Sequence, residues 1–171
     1  MITAREASSD DTTEVIDLVR KSITLLCTDD HRDDPYTLAK WLENKTPQHF
    51  VAWLSNPANY CVVAHLNERL AGVGLLHRGG EIRLFFVGPD AQRQGVGKAI
   101  HALLESKAPL FELRALHLLS TALARPFYEA LGYQPNGAAQ LRFGVLQCYP
   151  YEKLLLQPNY SLKRTAAGQL Q

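Results

Sequence analysis

The sequence predicts a mixed α/β layered domain, with helices on both faces of one sheet. Three observations carry that expectation. Between a first alternating run and Asn59 the apolar residues recur at helical spacing; from Asn59 onward they fall mostly at strand spacing. Turn signals divide this second part into short runs, with one helical run in their midst. At 171 residues, 46% hydrophobic and 20% charged, the chain has the size and composition of one soluble globular domain with its own core.

The elements follow in order. "ITAREA" (2–7) alternates as a first strand. Asp10 or Asp11 then caps a helix to about Leu26, with Val15, Ile16, Leu18, Val19, Ile23 and Leu26 along one face. "TDDHRDD" (28–34) reads as a polar loop. Pro35 opens a helix in "PYTLAKWLE" and Pro47 another in "PQHFVAWLS". "NYCVVAHL" (59–66), the turn "NER" and "LAGVGLLH" (70–77) form a hairpin, which Gly79-Gly80 extends through "EIRLFFVG" (81–88) into a meander. A helix from about Gly95 to Lys107 is stopped by Pro109. "ELRALHLLS" (112–120) is a strand, "ARPFYEALG" (124–132) a short helix ended by Gly132, and "LRFGVLQCYPYEKLLL" (141–156) a last strand pair. With no repeat and no linker, one domain spans 1–157, and the aperiodic, polar segment 158–171 reads as a flexible tail.

Bulk properties exclude several functions. A net charge of +1 argues against a large nucleic-acid footprint. "MITAREASSDD" lacks the basic and apolar pattern of a secretory signal, and no run is long enough to span a membrane. Cys27, Cys61 and Cys148 are far apart without CxxC spacing, as reduced, buried thiols would be. A cytoplasmic location is the expectation.

The most informative stretch is "PDAQRQGVGKAIHALL" (89–104), where a strand breaks into glycines and then a helix. A Walker loop fails because Gln92 replaces its first glycine and Ala99 its hydroxyl residue. A dinucleotide fingerprint fails because Ile100 stands at its third glycine. Q-x-x-G-x-G remains, met by Gln92, Gly95 and Gly97. In that pattern successive N–H groups from Arg93 to Lys98 point at a pyrophosphate with the helix dipole behind them, and both side chains add positive charge.

Together, "GEIRLFFVGPDAQRQGVGKAIHALLE" and "LHLLSTALARPFYEALGYQP" resemble the GNAT superfamily of acetyl-CoA-dependent N-acyltransferases. The resemblance spans about residues 60–135 and rests on the strand "EIRLFFVGP", the loop "QRQGVG" and "ARPFYEALGY". It implies a mostly antiparallel sheet whose central strands splay, the strand before the glycine loop carrying a bulge. The pantetheine arm then lies in the gap, bonded by the backbone of Phe85, Phe86 and Val87, with the Val87 N–H polarising the thioester carbonyl. Gln92, Arg93, Gln94, Gly95, Val96, Gly97 and Lys98 hold the pyrophosphate. Tyr128 takes the position of the tyrosine that faces the CoA sulfur and protonates the departing thiolate. Thr121 stands where many members place an asparagine; a hydroxyl supplies one of the two amide contacts. Glu81 occupies the position of a general base in some members. A carboxylate near pKa 4.3 needs burial or a water relay for that work. The other reading of Glu81 is an exposed residue after the glycine turn.

The implied activity is transfer of acetyl from acetyl-CoA to a primary amine by direct attack in a ternary complex. A small-molecule acceptor is expected first and a peptide amine second; a non-catalytic acyl-CoA-binding module is the rival class. No metal, nucleic acid or membrane partner is expected, and the chain is a monomer or homodimer. Two further features compete. "DDHRDD" (29–34) lacks metal-ligand spacing and reads as a solvated loop, yet its carboxylates border the implied acceptor mouth and would favour a cationic amine. His101, His117, Trp41, Trp53 and Tyr36 read as structural residues, and Lys163 with Arg164 are too few for a nucleic-acid site.

Overall fold

The computed structural model describes residues 1–156. The expected tail 158–171, and residue 157 at the expected domain end, lie outside the described residues.

The N-terminal half follows its periodicity. Strand β1 (Ile2–Glu6) leads through a 3-10 turn, Ser9–Asp11, into α1 (Thr12–Leu26). Asp11 takes the N-cap position, but its carboxylate caps no α1 amide. It receives Arg5 in a two-pronged pair at 2.7 and 2.8 Å, and also the Ser8 N–H, which fastens the helix start to β1. The expected loop 28–34 contains a single helical turn, α2 (Thr28–His31), ended by left-handed Arg32 and Asp33. Asp34 caps α3 (Pro35–Leu42) and Thr46 caps α4 (Pro47–Ser55), each ahead of its proline.

Strands β2 (Asn59–Leu66), β3 (Arg69–His77) and β4 (Ile82–Val87) form the meander, and β1 pairs with β2, giving the antiparallel order β1-β2-β3-β4. Helix α5 (Val96–Glu105) crosses this sheet. It comes close because β3 carries Gly72 and Gly74: a Cβ on either would press within 2.6 Å of the Ile100 side chain. Next come β5 (Ala115–Ser120), α6 (Arg125–Ala130), β6 (Gln134–Pro135), β7 (Gln140–Phe143) and β8 (Leu146–Leu154). Their strands assemble as β5-β8-β6, with β7 on β8. Left-handed Glu112 breaks the chain before β5, which therefore starts three residues later than its apolar pattern suggests. The two-residue β6 is too short to show any period.

The single expected sheet is thus divided in two by its hydrogen bonds. Between β4 and β5 one parallel bridge, Glu81 to His117, is made, with the His117 N–H donating to the Gly80 carbonyl at 2.9 Å. Beyond it the strands part, the splay that the resemblance implies. The implied bulge is present too: Leu75 faces Leu84 but Leu76 faces Ile82, so Arg83 is the extra residue. The bulge turns Ile82 toward the core under α5 and Leu84 toward the core under α1.

Candidate active site

The site begins where β4 leaves its partner. The Gly88 N–H donates to the Ala71 carbonyl at 2.8 Å, which fixes the phase of the β3–β4 ladder. Phe86 therefore spends its backbone bonds on Val73, while Phe85 and Val87 turn theirs toward β5. The Val87 carbonyl is already taken, by Ser22 Oγ of α1 at 3.3 Å and Gln92 Nε2 at 2.8 Å. The backbone groups free to meet a ligand between β4 and β5 are those of Phe85 and the Val87 N–H. The three consecutive residues expected here narrow to two, because strand alternation forbids the middle one.

The turn after β4 is built from its own sequence. Gln92 donates from Nε2 to the Val87 and Gly88 carbonyls, and Gln94 donates to the Asp90 carbonyl at 2.9 Å. Both side chains therefore brace the loop. Arg93 and Gly95 adopt left-handed φ of 59° and 89°. At Gly95, the α5 N-cap, no side chain caps the helix. Val96 is buried. Gly97 has a different reason to be glycine: a Cβ would stand 3.0 Å from the Phe127 ring. Arg93 and Lys98 are exposed and, among the described residues, have no acidic partner.

Phe127 and Tyr128 reach this point from α6, whose second residue is Pro126. Tyr128 is 5% exposed and lies edge-on to Phe85, Phe127 and Tyr133, with centroids 5.8, 5.2 and 5.5 Å away. Burial pushes its phenol well above the usual range, so it keeps its proton and has an O–H to donate. Among the described residues its hydroxyl has no hydrogen-bond partner. The Thr121 hydroxyl oxygen accepts the Ala124 N–H at 3.2 Å, leaving one O–H to offer. Behind Tyr128, Tyr133 shares a 2.8 Å hydrogen bond with buried His101, whose pKa burial lowers to about 4.

Glu81 is not brought to this group. Its carboxylate pairs with Arg83 at 2.9 Å, is 39% exposed, and adjoins exposed His117 across the bridge. The four residues to Phe85 cover about 13 Å of extended strand.

Sequence reasoning missed the side chains that hold the opposite wall. Asp30 Oδ1 accepts the Ala122 N–H at 2.9 Å, and Thr37 Oγ1 accepts the Val145 N–H at 2.9 Å. The segment 28–37 is thereby tied to the β5–α6 turn and to the β7–β8 turn. The only signal in the sequence was the run of carboxylates in "DDHRDD", which read as solvated. In the structure Asp30 and His31 are buried, the His31 ring accepting the Asp33 N–H at 3.0 Å.

The splayed strands, the uncapped helix start and the buried tyrosine together define an acyltransferase fold. The model of the acetyltransferase (GNAT) domain matches residues 27–155, and the chain belongs to that family. Solved structures agree on the fold. A GCN5-related N-acetyltransferase from Rhodopseudomonas palustris superimposes with a TM-score of 0.79 at 21% identity, covering 90% of this chain and 95% of that one. The PaiA N-acetyltransferase of Thermoplasma acidophilum, in complex with coenzyme A, gives 0.75 at 16% identity over 91% and 99%. A ribosomal-protein-alanine N-acetyltransferase from Brucella melitensis gives 0.70 at 18% over 90% and 99%. No curated protein matches the sequence. Among the described residues no helix is long and apolar enough to cross a membrane.

Proposed function

We propose that the protein transfers the acetyl group of acetyl-CoA to a primary amine of a small molecule, by direct attack in a ternary complex. The observation that carries this reading is the junction of β4 with α5. Outward-facing strand amides there run directly into an uncapped helix start, beside a tyrosine kept protonated by burial.

The amides from Arg93 to Lys98 bind the pyrophosphate, helped by the helix dipole and two unpaired cations. The pantetheine arm then extends back along β4, away from the loop. Val87, next to the loop, bonds the arm. Phe85 lies deeper and packs against Tyr128, so its N–H, rather than that of Val87, takes the thioester carbonyl oxygen and steadies the charge that develops there. Thr121 donates its O–H to the arm from the other wall. Tyr128 protonates the sulfur as it leaves.

An alkyl amine of pKa near 10 is only about one part in a thousand neutral at pH 7, so the acceptor must lose a proton before it attacks. A small acceptor is favoured because segment 28–37 is pinned at Asp30 and Thr37, closing that side against an extended chain.

The test is release of free thiol from acetyl-CoA in the presence of small amines and, separately, of peptides. Release that depends on an added small amine is expected, with thermal stabilisation that grows with acetyl-CoA concentration. Stabilisation without amine-dependent release would make the chain a binder only. Release with peptides alone would reassign the acceptor, and equal stabilisation by ATP would reject the donor site.

A further inference from the structure

A row of polar side chains runs from behind Tyr128 to the surface. Tyr133, 2% exposed, stands edge-on to Tyr128 with ring centroids 5.5 Å apart, and its N–H donates to the Tyr128 carbonyl at 3.1 Å. At its far end the Tyr133 hydroxyl meets Nε2 of His101, on α5, at 2.8 Å. His101 is itself buried. One helical turn further along α5, Glu105 Oε2 lies 3.7 Å from His101 Nδ1, and Lys153 of β8 pairs with Glu105 Oε1 at 2.9 Å.

This row gives its central bond a direction. Burial lowers the His101 pKa to about 4, with Glu105 opposing and Lys153 assisting, so at neutral pH the ring is uncharged and carries one N–H. A carboxylate favours that proton on the nitrogen facing it, Nδ1, which leaves Nε2 to accept the Tyr133 O–H. The Tyr133 phenol is also raised by burial and keeps its proton. A buried hydroxyl paired in this way cannot swing without leaving both partners unsatisfied, which is costly. Tyr128 has no such tether. Among the described residues its hydroxyl is unpartnered, and its ring is set by Phe85, Phe127 and Tyr133. Of these three neighbours only Tyr133 is tied at its tip, since a phenylalanine has no polar atom there.

We propose that His101 is a positioning residue for the transfer: through its bond to Tyr133 it holds the Tyr128 ring where the phenol reaches the departing sulfur. The inference rests on the acetyl-transfer reading above, with Tyr128 as the proton donor. A reacting group displaced by a fraction of an ångström loses rate steeply. The bond therefore acts on turnover, whereas donor affinity is set by the amides of the β4–α5 junction.

The experiment uses the full chain with acetyl-CoA and the primary amine most active in the thiol-release panel. His101→Leu fills the space without an acceptor for the Tyr133 hydroxyl. Its kcat should fall by roughly tenfold, with the acetyl-CoA concentration for half-maximal stabilisation unchanged. His101→Gln sets an amide oxygen near the place of Nε2 and should recover most of the loss. The deciding comparison is made in a Tyr128→Phe background, where His101→Leu should lower kcat no further, because the hydroxyl it positions is gone. A wild-type kcat in His101→Leu overturns the proposal, and so does a tenfold loss that persists in full on top of Tyr128→Phe. An unchanged kcat in Tyr128→Phe alone, or a wild type that releases no thiol with any amine, overturns it together with the reading beneath it. Should His101→Leu fail to fold, Tyr133→Phe breaks the same bond from the other end and keeps the ring. It should show the same loss and the same dependence on Tyr128, and a wild-type kcat there overturns the proposal.

Discussion

The two walls of the site are made of different material. The donor wall, from β4 through the turn into α5, offers backbone amides, and its side chains mostly brace the loop or fill the core. The wall proposed to face the acceptor, segment 28–37, is held by side-chain bonds to distant backbone: the Asp30 carboxylate accepts from Ala122 and the Thr37 hydroxyl from Val145. Amides presented by a helix start depend on local conformation and tolerate changes of side chain. A wall pinned by two side chains depends on those atoms and on chain brought to them from far away. Damage to the first should therefore abolish donor binding; damage to the second should change acceptor use and leave the donor alone.

The largest effect is expected at Gly95, whose φ of 89° a β-branched residue resists. Gly95→Val should abolish the acetyl-CoA-dependent thermal shift, and a preserved shift would contradict the donor wall as described. Tyr128→Phe removes one oxygen from a buried ring. It should lower kcat by roughly 10²-fold with little change in acetyl-CoA affinity. Single-turnover rates limited by chemistry give the check, and an unchanged rate returns Tyr128 to a packing role.

Acid should weaken the core behind the donor wall. His101 has its pKa lowered to about 4 by burial, against about 6.5 when exposed. The unfolded chain therefore binds a proton at higher pH than the folded one. His101's contribution is complete above pH 6.5 and declines as pH falls toward 4, by at most ~3 kcal/mol. Urea midpoints measured across that window should fall less in His101→Gln than in wild type.

Thr37→Val removes the hydroxyl that accepts the Val145 N–H and donates to Asp34. A loss of about 1 kcal/mol is expected, with KM for the amine raised and acetyl-CoA affinity preserved. Movement of both constants together would erase the distinction between the walls. The smallest effect should come from Glu81→Gln, since an exposed pair with Arg83 contributes little. A change in rate of less than about twofold at neutral pH is expected, because water readily replaces an exposed carboxylate as a proton acceptor. A large, pH-dependent loss would restore Glu81 as the base.

The sequence by itself determined most of the elements and the helix start at Gly95. Periodicity and capping residues are local, so α1, α3, α4, the meander and α5 lie close to where their residues place them. "QRQGVG" likewise encodes an uncapped, left-handed helix start within a few consecutive residues. At other positions of the motif the structure shows partners that the motif itself does not name. Gly97 is glycine because Phe127 packs on it, and Gln92 braces Val87; both partners are fixed by contacts outside the motif. Only the tertiary structure decided the break between β4 and β5, the commitment of Phe86 to Val73, and the burial of Asp30 among residues that read as a solvated loop. Hydrophobic period reports which way a side chain faces within its own element. It carries nothing about which strand will pair on either side, or which distant amide will come to rest on a carboxylate, because those depend on how the layers pack once the elements have formed.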